Sequence, residues 1–219
     1  MSSRPRYMNV LKFQYIYNAM TSETLEHTSG CMWNAILNLY FPQDEFIITP
    51  NSRPADSVKT RADFTIYSVM GADKTQLVVL FEDKRTFNET INASCEEGIG
   101  QLTDYMIQSR KVDTESREIA GLPPYDMYGI LNVGSYSHIY MLKSDGTTLQ
   151  RLSNSGNQEA LHFKDDELEI VAIVKELVRK SLPHGFLSSP YSPSFFSSSS
   201  SSSAGASRQA SPAAGSRLG

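Results

Sequence analysis

From Leu77 to Phe81 the chain runs through five apolar residues without a polar break, and then delivers Glu82, Asp83, Lys84 and Arg85 in succession. The apolar half reads as a strand from the middle of a fold rather than its surface, bounded by a polar turn at Gly71–Lys74. Side chains alternate along a strand, so Glu82 and Lys84 leave one face about 6 to 7 Å apart and Asp83 leaves the other. Two acids and two bases at the tip of a buried strand need a reason to be there.

The elements around this strand set its context. Apolar residues Leu25, Trp33, Ile36, Leu37 and Tyr40 recur at near-helical spacing between Ser22 and Tyr40, and Pro42 stops the pattern. A short β-branched run follows at 45–49, then a turn-rich loop, then alternation from Asp63 that places Asp63, Thr65 and Tyr67 on one face. This strand and the one at 75–84 are expected as antiparallel neighbours. Residues 92–111 read as a helix, with Ser94 and Glu97 spaced as a capping box. Ile99, Leu102 and Met106 form one of its stripes, and Gln101, Tyr105 and Gln108 another. Gly98 and Gly100 each weaken a helix by about 1 kcal/mol relative to Ala, which points to a close approach by a neighbouring element. Two strands hinged at Gly134 and Ser135 come next, then a short strand near 147–152. A final helix has acids at its start and bases at its end, as the helix dipole prefers. The expected architecture is an α/β fold with a mixed central sheet flanked by helices.

Three segments differ in composition: an N-terminal extension over 1–21, a folded domain over 22–182 and a Ser/Pro-rich tail over 183–219 that reads as disordered. The 20 basic residues include two in the tail, Arg208 and Arg217, whereas all 24 acids precede it, leaving the rest of the chain at a formal −6. A nucleic-acid binder is usually basic, so this chain needs a local positive patch or a metal ion to approach a phosphate backbone. Cys31 and Cys95 are too few and too far apart for a zinc motif and do not suggest a secretory framework. No signal-peptide pattern and no membrane-length apolar run is present, so the expectation is a soluble intracellular protein, nuclear or cytoplasmic. Trp33 reads as a core residue and His138 as a hydrogen-bonded strand histidine.

If the two strands pair across the Gly71 turn, Asp63 lies opposite the tip that bears Glu82. Two buried carboxylates repel each other, and the arrangement is costly unless a cation sits between them. Lys84 supplies one charge, and Mg²⁺ or Mn²⁺, held by one or two carboxylates plus water and phosphate oxygens, would supply the rest. The chemistry this suggests is metal-assisted hydrolysis of a phosphodiester, with Lys84 orienting the nucleophile or stabilising transition-state charge. Arg53, Lys59, Arg61 and Arg85 flank the two acidic positions and are candidates for phosphate contact.

Asp63, eighteen residues, then Glu82-Asp83-Lys84 resembles the D…E-x-K signature of the PD-(D/E)XK nuclease superfamily, whose core order is αβββαβ. Gln101-Leu102-Thr103-Asp104-Tyr105 also resembles the Q-x-x-x-Y motif of its RecB-like and lambda-exonuclease-like branches. The resemblance spans roughly Ser22–Leu142; it departs from the pattern at Ala62, where a proline is common. It implies a restriction endonuclease-like fold and a Mg- or Mn-dependent nuclease, with DNA the more expected substrate than RNA. Asp63 and Glu82 would be metal ligands, the Asp83 carbonyl a third, and Lys84 the catalytic lysine. Gln101 and Tyr105 would contact the substrate strand or brace the site. Glu23 or Glu26 would stand for the first-helix acid of some branches. The alternative is a nuclease-fold module that has lost turnover and binds nucleic acid or a protein partner.

Overall fold

A computed structural model describes residues 6–20, 25–53, 61–71, 74–84, 91–119, 123–152 and 160–182, all within one compact unit, Met1–Leu187. A short 3-10 helix, Tyr7–Asn9, precedes α1 (Leu11–Asn18) and α2 (Leu25–Tyr40). Strands β1 (Phe46–Ser52), β2 (Ala62–Val69) and β3 (Thr75–Lys84) lead to the long helix α3 (Ile91–Ile119). Strands β4 (Met127–Val133), β5 (Tyr136–Leu142), β6 (Leu149–Arg151) and β7 (Leu161–His162) then precede α4 (Glu167–Ser181). The tail lies outside the described residues.

Among the described residues seven strands form one mixed sheet in the order β1-β2-β3-β4-β5-β6, with β7 also paired to β5. β1, β2 and β3 are antiparallel, β3 and β4 parallel, and β4 and β5 antiparallel. The parallel step requires a crossover, and α3 supplies it. Helices cover both faces. Trp33, Ile36, Leu37, Val79, Phe81, Ile130, Phe163, Ile170 and Val174 build one apolar layer with α2 and α4. Leu77, Leu80, Leu102, Tyr105, Met106, Leu131 and Leu142 build the other beneath α3. β3 lies between the two layers, which is why its apolar run has no polar face.

The register between β2 and β3 shifts between Ile66 and Tyr67, where Tyr67 pairs with Leu77 and Ile66 with Val79. Val78 is the extra residue, and both it and Val79 join the α2/α4 layer, while Leu77 and Leu80 join the α3 layer. Beyond the bulge the parity is strict, so the faces on which Glu82, Asp83 and Lys84 emerge are set there.

Several expectations are modified. The N-terminal extension is not peripheral in its packing: Tyr7 and Phe13 are fully buried in the α2/α4 layer, and the Met8 N–H donates to Glu167 Oε1 at 2.7 Å. α3 begins at Ile91, so Ser94 lies inside the helix instead of capping it, and the helix runs on to Ile119. Gly98 does mark a close approach, since a Cβ there would fall 2.4 Å from Leu131 Cδ1. Gly100 does not, having nothing within 4 Å of such an atom. The tight fit is shared by Gly129 on β4, where a Cβ would come within 2.8 Å of Leu102 and Met106. Among the described residues no helix is long and apolar enough to cross a membrane.

Candidate active site

The parallel β3–β4 pairing and the antiparallel β2–β3 pairing bring several polar groups to one end of the sheet. Phe64 pairs with Phe81, and one step further along that register sets Asp63 against Glu82. The Asp83 backbone N–H donates to Asp63 Oδ2 at 2.7 Å, tying the β2 carboxylate to the β3 tip. Glu82 Oε1 lies 3.1 Å from Lys84 Nζ, the same-face pair that strand parity requires. From α3, Gln101 Oε1 accepts from Lys84 Nζ at 2.5 Å. Asp63, Glu82, Lys84 and Gln101 therefore share one site.

Glu97 joins them without having been anticipated there. It stands one helical turn before Gln101 and accepts from Gln101 Nε2 at 2.8 Å, with its Oε1 3.7 Å from Lys84 Nζ. The amide of Gln101 is thereby oriented, nitrogen toward Glu97 and oxygen toward Lys84. The i, i+4 spacing of Glu97 and Gln101 was the available sequence signal, spent instead on a cap.

Burial dominates the electrostatics. Glu82 is only 6% exposed, and its Oε2 is buried with no hydrogen-bond partner. Burial first, then the neighbouring Asp63 carboxylate, pushes the Glu82 carboxyl up to about 7 against the pull of Lys84. Asp63 is raised by burial too, an effect opposed by the Asp83 N–H and by Lys84. These are carboxylates short of positive charge.

Asp83 plays a larger part than its carbonyl alone. Its side chain, 7% exposed, enters the opposite layer and accepts from Ser29 Oγ of α2 at 2.8 Å and from Asn132 Nδ2 of β4 at 2.9 Å. Gly30 of α2 packs beside it, where a Cβ would lie in ordinary contact at 3.4 Å from Asp83 Oδ2. Asn132 Oδ1 in turn accepts from Trp33 Nε1 at 3.2 Å and from Ser137 Oγ at 2.7 Å, while its amide nitrogen also donates to the Gly134 carbonyl. Even so, burial outweighs the bonds from Asn132 and Ser29 and raises the Asp83 carboxyl to about 7. The network crosses from α2 through β3 and β4 to β5, and it holds the peptide whose N–H grips Asp63.

Other sequence candidates are placed differently. Tyr105 is 6% exposed and packed in the α3 layer, so of the two roles considered for it, bracing fits better than substrate contact. Arg53 and Arg61 are both exposed, and the Ser52–Ala62 pairing brings their chain positions together at the Asp63 end of the sheet. Lys59, Arg85 and Glu23 lie outside the described residues, and Glu26 falls in the first turn of α2. Among the described residues no three or more His, Cys, Asp or Glu side chains gather into a metal-binding group.

No protein-family model, curated protein or solved structure matches the chain. What the site does has to be read from its own chemistry.

Proposed function

We propose that this chain is a divalent-metal-dependent phosphodiesterase of the PD-(D/E)XK type that hydrolyses nucleic acid. The observation that carries this reading is the convergence of Asp63, Glu82, Lys84 and Gln101 around a buried Glu82 oxygen that has no protein partner. The element order α2, β1, β2, β3, α3, β4 supports the restriction endonuclease-like αβββαβ core. The preference for DNA over RNA rests on the motif resemblance alone.

The residues fit a hard cation in an open site, because Glu82 Oε2 has no protein partner and Lys84 alone does not offset the burial that raises the Asp63 and Glu82 carboxyls. Asp63 and Glu82 would hold it, with the Asp83 carbonyl as a further oxygen donor. When bound, Mg²⁺ or Mn²⁺ acidifies water and offsets negative charge on the phosphoryl group. The chain's own residues do the rest. The Asp83 N–H fixes the rotamer of Asp63, Lys84 offers its ammonium to water or phosphate oxygen, and Glu97 and Gln101 aim that ammonium.

Purified full-length protein is expected to cleave single-stranded, duplex or branched DNA with Mg²⁺ or Mn²⁺ and to stop when EDTA is added. Lys84→Ala should lower the rate at least about 100-fold, the scale of losing one charge-stabilising donor, with an unchanged circular dichroism spectrum. Failure to cleave any of these substrates or their RNA counterparts would overturn the proposal.

A second reading is a nuclease-fold module that binds nucleic acid or a protein without turnover. It is favoured by the engagement of the Lys84 ammonium with Glu82, Gln101 and Glu97, all protein groups. Mn²⁺ calorimetry separates the two. The catalytic reading expects binding that Asp63→Asn and Glu82→Gln remove, whereas the module expects partner binding indifferent to the ion.

A further inference from the structure

A second constellation lies on the α3 face, away from the carboxylates. Leu131 pairs with Glu82 on one side and with His138 on the other, so His138 occupies the same row of the sheet two strands along from Glu82. His138 is 6% exposed, and its Nε2 is 3.5 Å from Cys95 Sγ on α3. Its Nδ1 meets the Arg151 guanidinium from β6, which also lies over the Tyr140 ring at 5.8 Å. Cys95 is half-buried, while the other thiol, Cys31, is exposed on α2, and neither is in a disulfide.

The hydrogen-bond chemistry of this row decides which form of the thiol it favours. A guanidinium has donors and no acceptor, so His138 Nδ1 must accept from Arg151 and carry a lone pair. A neutral imidazole with its lone pair on Nδ1 carries its proton on Nε2, the nitrogen that faces Cys95. That N–H is a donor to sulfur and cannot take the thiol proton, so it stabilises the thiolate over the thiol. Arg151 adds positive charge directly behind the ring and disfavours a second proton on it. Among the described residues, the other titratable groups at this end of α3 are Glu82, Lys84, Glu96, Glu97 and Tyr140. Lys84 of β3 is engaged by Glu82, Gln101 and Glu97, the Glu82 carboxyl is itself pushed up to about 7 by burial, Glu96 is exposed, and the Tyr140 hydroxyl is raised to about 12 by burial. The residues β4 presents to α3, Met127, Leu131 and Val133, are apolar.

From this geometry we infer that Cys95 is a reactive thiol, activated by His138 and Arg151, and a site of covalent modification by hydroperoxides. The Cys95 thiolate attacks the terminal oxygen of the hydroperoxide. An S–O bond forms as the O–O bond breaks, the sulfur is oxidised by two electrons to the sulfenic acid, and the peroxide is reduced to an alkoxide or hydroxide. The proton released when the thiol ionised goes to that leaving group through solvent. Cys31 is on a helix of the opposite layer and is not placed to resolve the product as an intramolecular disulfide.

Competitive alkylation of the native full-length chain tests this, with Cys31 as the internal standard. At pH 6.5, iodoacetamide is expected to label Cys95 about tenfold faster than Cys31, despite its lower exposure, as read by peptide mass spectrometry. Arg151→Gln and His138→Gln should each slow Cys95 toward an ordinary thiol and leave Cys31 unchanged. Brief hydrogen peroxide followed by dimedone should tag Cys95 and spare Cys31. Faster or equal labelling of Cys31 at pH 6.5, or a Cys95 rate indifferent to both substitutions, overturns the inference. So does the absence of a dimedone adduct at Cys95. None of these readouts depends on nuclease activity.

Discussion

At the scale of single residues, the tip of β3 divides its work between two faces. Glu82 and Lys84 meet Gln101 and Glu97 from α3, whereas Asp83 is clasped by Ser29 and Asn132 on the other side. The titration of these acids has a definite consequence for stability. The Glu82 and Asp83 carboxyls move up from 4.5 and 3.8 to about 7, so the folded chain holds protons that the unfolded chain has lost. Stability therefore falls as pH rises from about 4 to about 7 in chelator, and these groups add no further loss above that. Thermal melts in EDTA should show this decline, and Glu82→Gln should make it shallower. Mg²⁺ should offset it most above pH 7, where the carboxylates are ionised. A midpoint that rises across this window in EDTA would contradict the assignment.

At the scale of elements, the site depends on how closely α3 lies against β4. Gly98 has no room for a side chain over Leu131, while Gly100 faces open space. Gly98→Ala should cost about 1–3 kcal/mol by overpacking, less the roughly 1 kcal/mol gained in helix propensity. It should also lower activity by moving Gln101 relative to Lys84. Gly100→Ala has only the propensity gain and should stabilise the chain by about 0.5–1 kcal/mol, both read by urea denaturation. The buried clasp joining α2, β3 and β4 is the opposite kind of contact, polar and directional. Asn132→Ala removes a bond to a carboxylate and should cost about 2–3 kcal/mol in the same experiment, leaving Asp83 with Ser29 and the Lys84 backbone N–H.

At the scale of the whole molecule, charge is the unresolved demand. An acidic chain with a formal net charge of −4 approaches a polyanion only through local positive charge. On the proposed function, the exposed Arg53 and Arg61, each one residue beyond the Ser52–Ala62 pair at the Asp63 end, are the candidates to provide it. Reversing both to Glu should weaken DNA binding across sequences. The slope of log affinity against log salt should become shallower by about two phosphate equivalents, each roughly 0.7 to 0.9. Fluorescence anisotropy across a salt titration measures both, and an unchanged slope would remove this edge from the substrate path.

What the sequence determined by itself was whatever depends on local periodicity. The unbroken run at Leu77–Phe81 demanded a strand covered on both faces, parity put Glu82 and Lys84 on one side, and the Q-x-x-x-Y resemblance, rather than helical spacing, pointed Gln101 to the site. A Gly in a helix likewise announced a close approach, correctly at Gly98 and wrongly at Gly100, because only packing distinguishes a glycine under a leucine from one facing solvent. The clasp on Asp83 was not legible, since Ser29 and Asn132 lie 54 and 49 residues from it and meet it only through the β3–β4 register and the layer of α2. The row from Glu82 through Leu131 to His138 is a product of strand order in the same way. Alternation along a chain says which face a side chain takes; which groups it then meets depends on pairings between distant segments, and those form only when the sheet assembles.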